Sequence, residues 1–142
     1  MDEMRQRVIG LAADAAMSDD PYGWFEQIYT EANGDWNQVP WADQRANPLF
    51  SEWFDLNFPK PPRAGATALV IGCGLGDDAI YLEAAGWKVC AFDISQTAIE
   101  WAEKNHPESN VEWRLANLCD PPSEWFSSFD LVVEIHILQA MA

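Results

Sequence analysis

Basic side chains are scarce in this chain. Of its 142 residues, 8 are Lys or Arg against 23 Asp or Glu, a formal net charge of −15. That balance repels phosphate backbones and anionic lipid surfaces, so neither nucleic acid nor membranes are expected partners. Long hydrophobic runs are missing as well, since none approaches the roughly 18–20 residues that cross a bilayer. The Met1–Gly10 stretch carries Asp2 and Glu3 where a secretory signal carries basic residues, and a cytoplasmic location is the expectation. Cysteine is limited to Cys73, Cys90 and Cys119, an odd count without zinc-type spacing. Disulfide frameworks and metal centres are therefore not expected, and the thiols read as reduced.

Apolar residues are plentiful by contrast, at 49% of the chain, enough for one core without covalent staples. Met4, Val8, Leu11 and Ala15 recur at helical spacing, and Ser18-Asp19-Asp20-Pro21 ends that helix and opens the next with Pro21 at its first position. The second helix carries Tyr22, Phe25, Ile28 and Tyr29, and Asn33-Gly34 closes it as a left-handed cap. Asn47-Pro48 starts a third, with Leu49, Phe50, Trp53 and Phe54 on its apolar side, before a connector stiffened by Pro59, Pro61 and Pro62. Residues 1–62 thus read as a helical extension and residues 63–142 as a different architecture.

From Thr67 onward short apolar strands alternate with helices, the pattern of parallel βαβ units. The strands read as Ala68–Ile71, Lys88–Phe92, Val111–Leu115 and Leu131–Ile135. Between them lie helices over Asp77–Ala85 and Gln96–Asn105, capped by Gly86 and Ser95 respectively, and a short turn near Pro122–Phe126. Right-handed crossovers give an α/β, Rossmann-like parallel sheet in the order 3-2-1-4, with a ligand crevice between strands 1 and 4.

The first strand runs directly into Gly72-Cys73-Gly74-Leu75-Gly76 and then into Asp77-Asp78 at a helix start. Glycines there permit a tight turn and close approach of a ligand to main-chain N–H groups. A dinucleotide fingerprint needs glycine where this chain has Asp77, and two acids at the helix start oppose a pyrophosphate. Asp77 and Asp78 read either as caps of the helix dipole or as counter-charges to a cationic ligand. Asp93 ends the second strand 17 residues after Gly76, about the separation at which an acid grips ribose hydroxyls.

The run GCGLGDDAIYLEAAGWKVCAFDIS, with ANLCDPP and FDLVVEIHILQAM after it, resembles the class I S-adenosylmethionine-dependent methyltransferases, and most nearly the small-molecule type akin to thiopurine methyltransferase. The resemblance implies S-adenosylmethionine as cofactor and S-adenosylhomocysteine as product. It implies that Gly72, Cys73, Gly74 and Gly76 line the methionine side, that Asp93 takes the ribose and that Ile94, Asn117 and Leu118 meet the adenine. The family commonly has Asp where this chain has Asn117, and an amide still reaches an adenine edge as acceptor or donor. The preceding aromatic-rich helices are implied to lie over the cofactor, with Trp41 a candidate to cover the sulfonium.

Glu134 and His136, two apart at the end of the fourth strand, share a face and are expected in the crevice, Glu134 toward the cofactor and either as a weak catalytic candidate. The function expected is methyl transfer to a small molecule; the alternatives are a non-catalytic cofactor-binding fragment or truncated paralogue, and then a nicotinamide-dependent oxidoreductase. The resemblance implies a seven-stranded sheet, so the chain reads as truncated after strand 4, or as a homodimer joined there.

Overall fold

The computed structural model describes residues 3–141. Three helices come first: α1 Glu3–Ala16, α2 Gly23–Ala32 and α3 Pro48–Asn57. Strands and helices then alternate as β1 Thr67–Ile71, α4 Asp77–Ala84, β2 Lys88–Asp93, α5 Gln96–Asn105, β3 Glu112–Leu115 and β4 Leu131–Glu134. The strands form one parallel sheet in the order β3-β2-β1-β4, as the alternation predicts. Among the described residues no helix is long and apolar enough to cross a membrane, and no group of acids, histidines and cysteines is placed to hold a metal ion.

Burial explains which strand lies where. In β2 every residue after Lys88 is buried, and in β1 Ala68, Leu69 and Val70 are, because α3 and α4 pack on one face of these central strands and Trp125, Leu118 and Phe129 from the chain between β3 and β4 pack on the other. The edge strands β3 and β4 are only partly covered. Ser95 caps α5, its Oγ accepting from Ala98 N at 3.0 Å, and the small Ala98 and Ala102 let that helix lie close to the sheet. Phe54 of α3 joins the same core as Ala68, Val70, Val89 and Trp87.

Four local expectations need correction. Pro21 does not open α2; Asp20 Oδ1 accepts from Gly23 N at 2.9 Å and moves the helix start to Gly23. Only Phe50 and Phe54 of the apolar side of α3 turn inward, toward Tyr81, while Leu49 and Trp53 are 75% and 52% exposed. Val111 lies outside β3, its N–H donating to Ser109 Oγ at 3.0 Å. β4 stops at Glu134, because the chain turns through His136 at φ 59 into a 3-10 turn over Leu138–Ala140.

Two long-range contacts fix the helices on the sheet. The Glu26 carboxylate of α2 accepts from the hydroxyls of Ser95 and Thr97, from Thr97 N at 3.2 Å and from Thr30 Oγ1 at 3.2 Å, which docks α2 on the start of α5. Gly76, at φ 92, caps α4 from the left-handed region; a Cβ there would fall 2.4 Å from the Trp113 ring and 3.4 Å from Ala102 Cβ.

Both contacts are testable. Burial tends to raise the Glu26 pKa, but its hydrogen bonds outweigh burial and hold it below the usual value. The ionised form is thus favoured on folding. That stabilisation is whole above the ordinary carboxylate pKa and disappears as pH falls through the depressed one. Glu26→Ala should cost about 1.5–3 kcal/mol in urea unfolding at neutral pH, and less at acid pH. Gly76→Ala should cost on the order of 1–3 kcal/mol by the same measurement, since it combines backbone strain with a clash against a ring.

Candidate functional site

The site grows from the end of β1. After Ile71 the chain reverses through Gly72, Gly74 and Gly76, at φ 62, 54 and 92, before α4 begins. Cys73 N donates to Phe92 O at 2.9 Å and Gly76 N to Cys73 O at 2.9 Å, which ties the turn to β2 and to itself. A Cβ at Gly72 would lie 2.4 Å from Ile137 Cδ1, and one at Gly74 would lie 2.9 Å from the Tyr29 hydroxyl. The glycines therefore admit other chain segments onto the turn as well as shaping it. Burial pushes the Cys73 thiol well above its ordinary pKa, with Asp93 adding to the rise, so the sulfur stays protonated.

Asp93, at the end of β2, is 7% exposed. Its Oδ2 accepts from Gly74 N and its Oδ1 from Ser95 N, each at 2.9 Å. Burial raises its pKa above the ordinary carboxylate range, while the N–H groups of Ser95, Gly74 and Ile94 pull it down. Each oxygen retains acceptor capacity.

These groups open on a cavity of about 370 Å³ at the C-terminal ends of the strands. Its floor is Gly72 to Gly76 with Asp93; Ile94, Asn117 and Leu118 line one side, and Asp77 and Asp78 line another. Burial raises the pKa of both acids, and Asp78 Oδ1 also accepts from Asn47 N at 2.8 Å. Asp43 joins them in the wall. The roof comes from α2 and the loop after it: Trp24, Phe25 and Tyr29 each meet Trp41 edge to face, and Trp24 stacks on Phe25. Trp41 Nε1 donates to the Tyr29 hydroxyl at 2.6 Å.

The structure thus brings Gly72, Cys73, Gly74, Gly76, Asp93, Ile94, Asn117, Leu118, Trp41 and His136 to one cavity. Glu134 is absent from that lining. Its Oε1 accepts from Ile137 N at 2.6 Å and Leu138 N at 2.9 Å, holding the turn after β4. The alternation that pairs it with His136 fails because the strand ends between them. Asn117 Oδ1 is engaged in its own turn, accepting from Cys119 N at 2.9 Å, and its amide nitrogen remains available. Sequence reasoning left out Tyr29, Phe25 and Arg45. The i, i+4 spacing of Phe25 and Tyr29 placed them on one helix face, and the family resemblance alone implied that the aromatic helices lie over the cofactor, without naming these side chains.

A family model described as a methyltransferase domain matches residues 68–142. No curated protein matches the chain. Among solved structures, magnesium protoporphyrin IX methyltransferase from Synechocystis PCC 6803 with bound SAM is 17% identical, covering 88% of this chain and 66% of its own, with a TM-score of 0.65. A protein from work on the conversion of a disulfide bond into a thioacetal group during echinomycin biosynthesis is 23% identical over 79% of this chain and 47% of its own, with a TM-score of 0.65. The plantazolicin methyltransferase in complex with SAH is 20% identical over 87% of this chain and 47% of its own, at 0.51. The chain spans about half the length of two of these three, and at these identities they share its fold. The match over more than half of the chain, on a Rossmann-like sheet with a glycine turn after β1, means that the chain belongs to the methyltransferase-domain family on the class I fold.

Proposed function

We propose that this chain binds S-adenosylmethionine in the cavity at the ends of β1 and β2 and transfers its methyl group to a small molecule. The observation that carries the reading is the buried Asp93 carboxylate beside Gly74, whose oxygens each hold one backbone N–H and keep capacity for a pair of ribose hydroxyls. The charge of the wall supports it. Asp43, Asp77, Asp78 and Asp93 face one cation, Arg45, which favours a ligand bearing sulfonium and ammonium groups and disfavours a pyrophosphate. Arg45 is then the group to meet the cofactor's carboxylate.

When bound, the cofactor supplies a methyl group on a cationic sulfur. The protein's part is alignment in a dry space. Ile94 and Leu118 flank the adenine, Gly72 and Gly74 leave room for the methionine chain, and the face of Trp41 attracts the cation. Trp24 and Phe25 exclude water from above. His136 lines the cavity and supplies an imidazole there that can receive a proton from the acceptor. Protonated Cys73 does not compete as an acceptor. Residues 1–62 serve in this reading as the cover and residues 63–142 as the cofactor-binding unit.

Calorimetry with S-adenosylhomocysteine and NAD tests binding, and a labelled-methyl assay over a panel of small acceptors tests transfer. Micromolar binding of S-adenosylhomocysteine without a response to NAD is expected; the reverse pattern sinks the proposal. Asp93→Ala should weaken the nucleoside by about 1.5–3 kcal/mol, with a thermal melt run alongside because the carboxylate also holds Gly74 and Ser95. Hydroxyl donors need the ionised form, so affinity should decline on acidification from above the ordinary carboxylate range, following the raised pKa of Asp93.

The reading extends to assembly. β4 pairs with β1 on one side, and among the described residues nothing pairs its other edge, where Val132 is 53% exposed. We place a second copy there, since an apolar edge left bare promotes association. Light scattering should give twice the 16.0 kDa chain mass, and a monomer at all concentrations overturns the dimer.

A further inference from the structure

The charges that face the cofactor cavity do not balance. Asp43, Asp77, Asp78 and Asp93 line it against a single cation, Arg45. Burial is the main cause of the raised pKa of Asp77 and of Asp78; Asp43 adds to both rises, while His106 offsets part of the rise at Asp77. Three carboxylates therefore lie near one another at the start of α4. Asn47 N engages one oxygen of Asp78 at 2.8 Å, and among the described residues none of the four acids forms an ion pair.

In the methyl-transfer reading, on which this inference rests, the bound cofactor brings a sulfonium, an ammonium and a carboxylate, one net positive charge. Arg45 goes to that carboxylate, and ribose hydroxyls leave the charge of Asp93 in place. The wall is then still short of two positive charges. The roof supplies the second element. Phe25 and Trp41 meet at 65° with ring centroids 6.1 Å apart and form a corner, and Tyr22 lines the same cavity. Ring faces set in this way attract a cation. Asp43 lies two residues after Trp41, so an indole and a carboxylate stand on one loop at the rim.

We infer that the methyl acceptor is a small organic amine with an apolar body, held as its ammonium ion between Asp43 and the corner of Phe25 and Trp41. Its body lies against Val8 and Ile137, which also line the cavity. An acceptor bearing a carboxylate or phosphate meets uncompensated acids and is rejected. For transfer the ammonium gives one proton to His136, and the freed nitrogen lone pair forms a bond to the methyl carbon. The bond from sulfur to methyl breaks with its electron pair on sulfur, leaving a methylated ammonium and a neutral thioether.

Three probes of similar size separate charge from shape: 2-phenylethylamine, 2-phenylethanol and phenylacetate. Each is titrated by calorimetry into protein saturated with S-adenosylhomocysteine, so the readout is binding and needs no turnover. The amine should bind about tenfold tighter than the alcohol, the sum of one ring contact and one solvated ion contact, and phenylacetate should give no heat. Added salt should weaken the amine and spare the alcohol. Asp43→Lys, a change at an exposed position, should weaken the amine about tenfold and leave the alcohol within about twofold. Equal affinity for amine and alcohol, tighter binding of phenylacetate, silence from all three probes, or an amine affinity unchanged in Asp43→Lys each overturns the inference while the cofactor reading stands. Failure of S-adenosylhomocysteine itself to bind overturns both.

Discussion

The buried carboxylate of Asp93 is the constraint on which the upper half of the molecule depends. One oxygen holds Gly74 in the turn after β1 and the other holds Ser95 in the turn after β2, so a single side chain sets the spacing of two strand ends. Ser95, held there, caps α5 with its hydroxyl and donates to Glu26. Glu26 fixes α2, and α2 presents Tyr29, which takes the indole N–H of Trp41. The roof over the cavity is therefore positioned through a chain of polar contacts that begins at its floor. Keeping an ionised group at such a place is unfavourable by itself, as its raised pKa shows.

What the sequence made legible is what repeats or caps locally. Strand–helix alternation, the left-handed Asn33-Gly34 cap, the Ser95 cap and the glycine turn are short-range patterns, and all appear in place. Contacts between distant segments leave no such trace. Nothing near Glu26 in the sequence marks Ser95 and Thr97 as its partners, and nothing near Arg63 marks its ion-pair partner Asp130. Glu134 misled for a related reason: alternation along a strand applies only while the strand continues, and the carboxylate that was to face the crevice instead stabilises the turn that ends it. The apolar run to Leu138 gave no sign of that stop.

The charge distribution separates two ends of the sheet. Acids gather where the strands end, in a wall that includes Asp43, Asp77 and Asp78, whereas Lys60 and Arg63 lie where the strands begin. In a chain of formal charge −15 the few cations are worth locating individually. Screening by salt acts differently on the two ends, being stronger for exposed Lys60 than for the half-buried Asp77 and Asp78. Selectivity at the cavity rests on burial as much as on charge count.

The contact of Gly76 with Trp113 and Ala102 joins three elements distant in sequence, the start of α4, β3 and α5. Each position is small or large because of the others: the ring fills the volume that the glycine vacates, and the alanine leaves room for both. Substitutions at the three sites are therefore coupled through one shared volume. A smaller residue at 113 would open the space for a side chain at 76 without relieving its left-handed backbone, so relatives should change the tryptophan and the alanine together while the glycine persists.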